Sequence, residues 1–232
     1  MLLQRSAAAL LAVLLLCSAP PAATGKQVQI SNTLPRRNST GEIIDAHDGS
    51  YNQWGGPGTP WYYYAMAYSS CKEQAGDGCG GSARAPGQAA CGYGYNGIGV
   101  WRSADLSTNG TWELLTPEAR LEGDWPNDTS YFRVHVIYQR NSSTYVLWAN
   151  ADGARICSRP GDQHNCYLVG TSSSPRGPFR FRGATTTRYL GPGDFDLLVD
   201  ETAEGEQVAY IIYTATTQGH AMSVERCGQC FF

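Results

Sequence analysis

Asp45, His47 and Asp48 stand within one short stretch, "GEIIDAHDGSYNQW", residues 41–54. Carboxylates beside an imidazole are the groups proteins use to move protons or to hold ions. Gly49 follows directly, and an aspartate ahead of a glycine is also a common turn device, its carboxylate bonded to its own backbone. On this stretch alone both readings stay open: a carboxylate at the mouth of a strand, or a polar turn. His47 has three readings of its own, as an orienting partner of a carboxylate, a metal ligand or a filler of the strand mouth. A second acidic pair, Asp194 and Asp196 in "GPGDFDLLVD", has the two-residue spacing that puts both side chains on one face of a strand. The preceding "GPG" equally suits a turn. "CGQC" at 227–230 has redox or zinc spacing. A redox pair needs a helix behind it, and only two residues follow here. A zinc site wants a second pair at like spacing, which "CKEQAGDGC" does not offer. Neither reading is expected.

Such groups need elements to hold them. Outside the first residues the chain shows no long run with apolar positions at helical spacing. It shows short segments rich in Val, Ile, Tyr, Trp and Thr, separated by many of the 27 glycines and 12 prolines. The segments recur in sets. One set begins near 47 with "DGSYNQW", "WYYYAMAY", "GIGVWRSADL" and "TWELL". A second begins near 131 with "YFRVHVIYQ", "TYVLWAN" and "YLVGTSSSPRGPFRF". A third begins near 194 with "DFDLLVDE", "VAYIIYTA" and "HAMSVERC". Each set is a meander whose apolar faces need neighbours, and radial repetition of meanders makes a β-propeller. An irregular β-sandwich would use the same strands. The matched third strands, "VWRSADLSTNGTW" and "VGTSSSPRGPF", favour the propeller. A propeller closes with four blades or more, so three sets predict a fragment, an assembly or an irregular arrangement at the chain end.

Composition narrows the function class. A net charge of −3 with no basic stripe argues against a nucleic-acid partner. Arg5, the apolar run 7–17 and small residues up to Gly25 read as a cleaved secretory signal, residues 1–25, leaving residues 26–232 as the folded part. No later stretch is long and apolar enough to cross a membrane. Sequons at Asn38, Asn109, Asn127 and Asn141 fit a secreted glycoprotein. Past the signal, seven cysteines remain, and an oxidising compartment would pair most of them. Cys157 and Cys166 bracket what reads as a stapled loop; Cys71, Cys79 and Cys91 lie in another, with partners unassigned.

"IIDAHDGSY…WYYYAMAYSSCKE", "SADLSTNGTWEL", "VIYQRNSSTYVLWAN", "YLVGTSSSPRGPF" and "GDFDLLVDE…VAYIIYTA…HAMSVERC" resemble, as an ordered series, glycoside hydrolase family 43, most of all its galactan 1,3-β-galactosidase branch. The resemblance covers about residues 40 to 227. It implies an all-β, five-bladed propeller, of which about three blades are present, acting on plant or algal polysaccharide with inversion. Inversion needs a base to activate water and an acid to protonate the leaving oxygen, their carboxyls roughly 6.5–9.5 Å apart. By resemblance Asp48 takes the place of the base. Asp194 takes that of the aspartate that tunes the acid, with Asp196 beside it. The acid itself has no match, since it belongs to a later blade. The branch's two glutamates would fall near Phe132 and Thr216, which are not acidic. Glu225 is the nearest late carboxylate, on an outer-type strand unsuited to the acid's work. His135 lies where relatives carry polar or acidic groups and is expected to face the axis. His47 and Trp54 are expected to line the saccharide site, since aromatic rings offer flat surfaces for sugars. Alternation puts about half of Trp61, Tyr62, Tyr63 and Tyr64 in the core, and Trp148 is expected there too. No cofactor is expected; calcium on the axis is implied by resemblance only. The expected partner is a poly- or oligosaccharide. The alternatives are a catalytically inactive carbohydrate-binding relative and a non-enzymatic secreted glycoprotein.

Overall fold

The computed structural model describes residues 28–31, 34–67, 97–108, 110–116, 121–127, 129–152, 155–157, 165–189, 191–228 and 230. The signal segment, Cys71, Cys79, Cys91 and Asn109 lie outside the described residues. The first meander is β1 (His47–Asn52), β2 (Trp61–Ala67), β3 (Gly97–Ser103) and β4 (Glu113–Thr116). A short β5 (Leu121–Glu122) follows. The second is β6 (Ser130–Gln139), β7 (Thr144–Asp152), β8 (Asn165–Ser172) and β9 (Phe179–Thr185). The third is β10 (Pro192–Glu201), β11 (Gln207–Ala215) and β12 (Ala221–Arg226). The three predicted sets are therefore three antiparallel blades, two of four strands and one of three. "YLVGTSSSPRGPFRF", read as one segment, is two strands. The chain reverses at Ser174–Gly177, where the Gly177 N–H donates to the Ser174 carbonyl. β5 has no counterpart among the predicted segments; it lies parallel to β9.

The middle strands β7 and β8 are buried on both faces. That is why they read as unbroken apolar runs, with Val146, Leu147, Trp148 and Ala149 all inside. β11 alternates instead: Ala209, Ile211, Tyr213 and Ala215 point toward the second blade, with Tyr210, Ile212 and Thr214 on the other face. One core cluster fills the space between the first and second blades, around Tyr64, Val100, Val134, Leu147 and Leu168. Another fills the space between the second and third, around Trp148, Tyr167, Phe195, Ile211 and Tyr213. Trp148 is core, as expected.

The inner strands β1 and β6 touch in parallel at Gly49 and Val134, which joins two blades into one curled nine-stranded sheet. Gly49 is required there. A Cβ on it would stand 1.7 Å from the Tyr64 carbonyl oxygen across β2. The far face of the first blade, with Tyr63, Ala65, Trp101 and Trp112, is covered by residues 36–46, chiefly Ile44. That segment folds on itself through an Arg37–Ile43 bridge and joins the blade through an Asn38–Trp112 bridge. The Arg36 guanidinium lies 5.6 Å over the Tyr51 ring, which stacks on Tyr63 at 4.1 Å. Two disulfides are present among the described residues. Cys157–Cys166 closes the loop read as stapled, and Cys227–Cys230 closes the "CGQC" pair on itself.

Candidate functional site

Each inner strand carries an irregularity near its start: between His47 and Ser50 on β1, Phe132 and His135 on β6, and Pro192 and Phe195 on β10. A bulge adds a residue, bends the strand and re-aims a side chain. Here the re-aimed residues are Asp48, Arg133 and Asp194, one from each blade. Asp48 and Arg133 both hold positive φ, 49° and 51°. Aspartate accepts that region with modest cost, arginine less readily.

The ion pairs compensate. Arg133 Nη1 donates to Asp48 Oδ1 at 2.6 Å, while Nε and Nη2 donate to the two oxygens of Asp194 at 2.9 Å each. One guanidinium thus ties the openings of all three blades, forking onto Asp194 in the planar geometry that arginine suits. His47 Nδ1 lies 3.5 Å from the other oxygen of Asp48. One step along the strands, His135 Nδ1 is 3.1 Å from Asp196 Oδ1, and the His135 ring packs on Phe195 with centroids 4.9 Å apart. The hydrogen bond from His135 holds the Asp196 carboxyl below its usual value, against an opposing push from burial.

An open cleft of about 610 Å³ runs along the inner strands, lined by Ser50, Asn52, Trp54, His135, Tyr138 and Asp196. The sequence-predicted residues are thus arranged in two tiers. Asp48, Asp194 and His47 gather around Arg133, and His135 with Asp196 forms a second pair at the cleft. Trp54 stands apart from both, past the end of β1. Its Nε1 donates to the Tyr64 hydroxyl at 2.9 Å, and its ring meets Tyr145 edge-on at 5.2 Å. One side of Trp54 is therefore core and the other is cleft wall. Glu225 sits on β12, where its carboxylate accepts from the Tyr213 hydroxyl and the Arg188 N–H, away from this cluster. Among the described residues no three His, Cys, Asp or Glu side chains converge as a metal set, and the two carboxylates of the first tier are already taken by Arg133. The cluster does not fit a calcium ion.

Arg133 is the residue that sequence reasoning missed. Its signal lies in the repeat: "HDG" and "FRV" occupy the same place in their blades, with Asp48 and Arg133 at the centre, and in the third blade Asp194 stands one residue past that place, in "PGD". A search for carboxylates alone passes over it.

No protein-family model matches the chain, and no curated protein does. Solved structures do. An exo-β-1,3-galactanase from Phanerochaete chrysosporium, solved with β-1,3-galactotriose, is 19% identical with a TM-score of 0.59, over 87% of this chain and 40% of that one. A family-43 β-1,3-galactosidase is 17% identical with a TM-score of 0.54, over 87% and 36%. An exo-β-1,3-galactanase from Clostridium thermocellum is 19% identical with a TM-score of 0.52, over 85% and 37%. These neighbours are five-bladed β-propellers of glycoside hydrolase family 43. At this identity the likeness is one of fold, and the chain has that fold in part, spanning about 40% of the length of the first of these structures.

Proposed function

We propose that the chain is a secreted, polysaccharide-directed protein with the site of a family-43-type glycoside hydrolase. Asp48 stands in the place of the water-activating base, and Asp194 stands beside it. The carrying observation is the convergence of Asp48, Arg133 and Asp194, next in sequence or nearly so to Gly49, His135 and Asp196, which line a cleft roomy enough for sugar units. Fixed charged groups that present several donors and acceptors are what sugar hydroxyls bind, and the aromatic walls add apolar surface. The galactanase neighbours, which carry galactotriose or galactose, point to β-1,3-linked galactan as the first substrate to try. Two disulfides and the leader-like start support an oxidising, extracellular setting.

Inverting hydrolysis also needs a carboxylic acid to protonate the leaving oxygen. In the cluster both aspartates act as acceptors toward Arg133, so neither is placed to give a proton. The described residues supply the binding surface and the base, and the acid lies elsewhere. That same observation favours a second reading, saccharide binding without cleavage. Calorimetry and product analysis with β-1,3-galactotriose separate the two. Galactose release that Asp48→Asn abolishes supports hydrolysis. Binding without release, weakened by Arg133→Met, supports the second reading. No binding and no release would sink both.

A further inference from the structure

Two of the sequons, Asn38-Ser39-Thr40 and Asn141-Ser142-Ser143, hold their asparagines in opposite ways. Asn38 is spent on its own loop. Its Oδ1 accepts from the Thr40 N–H, the Thr40 hydroxyl and the Glu42 N–H, and its Nδ2 donates to Glu42 Oε2 at 2.9 Å. That loop belongs to the segment that seals the first blade. Asn141 stands in the turn between β6 and β7, which the Ser143 N–H closes on the Arg140 carbonyl at 3.2 Å, and it takes the first of the two corner positions. Asn141, Ser142 and Ser143 are all exposed. Among the described residues no hydrogen bond takes up the Asn141 amide.

The turn is fixed from behind. Arg140 donates from its backbone N–H to Gln207 Oε1 at 2.7 Å and from Nη2 to the Gly205 carbonyl at 3.1 Å, and Nη2 is 3.2 Å from Glu201 Oε2. The third blade thus braces the residue before Asn141 and leaves Asn141 itself at the corner. Propeller blades pack side by side through their sheet faces, and this turn is at the end of a hairpin rather than on either face. Asn141 is also eight residues past Arg133, roughly 26 Å along an extended strand, so the turn and the charged cluster lie at opposite ends of the blade.

We propose that Asn141 is an N-glycosylation site, occupied more fully than Asn38. The inference rests on the secreted, extracellular reading above. The co-reactant is a lipid-pyrophosphate-linked oligosaccharide of the secretory pathway. Nδ2 of Asn141 forms a bond to the anomeric carbon of the first sugar, and the bond from that carbon to the pyrophosphate oxygen breaks. The lipid pyrophosphate leaves with the electron pair, and Nδ2 gives up one proton. The product is a secondary amide that keeps one N–H. At Asn141 the exchange takes no hydrogen bond from the fold. At Asn38 the sugar must share a nitrogen already bonded to Glu42 and stand beside an oxygen that three donors surround. A glycan at Asn141 lies at the end of the blade remote from Asp48 and leaves the approach to the charged cluster clear.

The test expresses the full chain in insect cells in two forms, one with its own residues 1–25 and one with a grafted secretory leader in their place. Protein from the medium and from the microsomal fraction is treated with peptide N-glycosidase in heavy-oxygen water, which turns each glycosylated asparagine into a labelled aspartate. Peptide mass spectrometry then reads occupancy at each sequon. Asn141 is expected to be occupied in most molecules, and more than Asn38. Asn141→Gln and Ser143→Ala should each remove one glycan from the intact mass. The thermal midpoint of Asn141→Gln, compared after deglycosylation, should stay near that of the parent, because Asn141 is exposed. Translocated protein with Asn141 bare, or with Asn38 occupied as fully as Asn141, overturns the proposal. If only the grafted leader carries the chain into the secretory pathway, the secretion reading fails, and occupancy at Asn141 in that protein decides the proposal by itself.

Discussion

Asp48 and Arg133 occupy the same place in successive blades, each on a bulged inner strand with φ near +50°, and are joined by a 2.6 Å hydrogen bond. The two strained positions therefore hold each other. Asp194 shares the guanidinium, but its side chain is 69% exposed where that of Asp48 is 16%. Solvent screens the outer pair far more. Double-mutant cycles by urea denaturation, with Arg133→Met, Asp48→Asn and Asp194→Asn, should give a coupling of about 1.5–3 kcal/mol to Asp48. Coupling to Asp194 should fall below about 1 kcal/mol. The reverse order would contradict this account of the cluster.

Gly49 pairs with Val134 of the second blade and lies against β2 of its own. A methyl group there meets the Tyr64 backbone at 1.7 Å, and backbone does not yield as a flexible side chain does. Gly49→Ala should cost more than about 3 kcal/mol, in the range of severe overpacking. A chemical-denaturation midpoint close to that of the parent would show that β1 and β2 can part without harm.

Asp196 gives the site an acid-side dependence. Its carboxyl is held below the usual value by His135, so the contribution to stability is present above the unfolded-chain value, about pH 3.9. It fades as the pH falls through the lower folded value. The stability difference between the parent and Asp196→Asn should be full at about pH 5–6 and shrink as the pH falls through the lowered folded value. Because Asp196 is exposed, the plateau should stay under about 1 kcal/mol. A difference that grows toward low pH would reverse the sign and refute the pairing.

The Cys157–Cys166 disulfide closes a loop with a sequence separation of 9. Chain entropy assigns such a loop roughly 2–3 kcal/mol. Paired replacement by serine should lower the stability by about that much, read by thermal denaturation of the oxidised protein. An unchanged midpoint would mean that the flanking strands β7 and β8 alone set the geometry.

The first two blades were legible because their middle strands are buried on both faces, and burial writes itself as aromatic and β-branched runs such as "WYYYAMAY" and "TYVLWAN"; "VAYIIYTA" reads as a strand by residue type although it alternates between a covered and an uncovered face. Asp48 and Asp194 stood out because each opens a blade beside a glycine, Gly49 and Gly193, which the structure places within the inner strands. Arg133 did not, because its role depends on a bulge that re-aims it across the axis. A bulge is a matter of register between strands rather than of residue type. Trp54 was legible in part. Its position after "DGSYNQ" suggests a sugar platform and it lines the cleft, while the commitment of its indole N–H to Tyr64 could not be read from the sequence. The 36–46 segment escaped notice because it pairs through two isolated bridges, too few to leave an alternating pattern.

That segment has a consequence for the first blade. With its far face sealed by Ile44 and its neighbours, the blade carries its own cover, much as a book carries its binding. The cover comes from residues that precede the blade in sequence, so a chain begun at His47 would bare Tyr63, Ala65, Trp101 and Trp112 together.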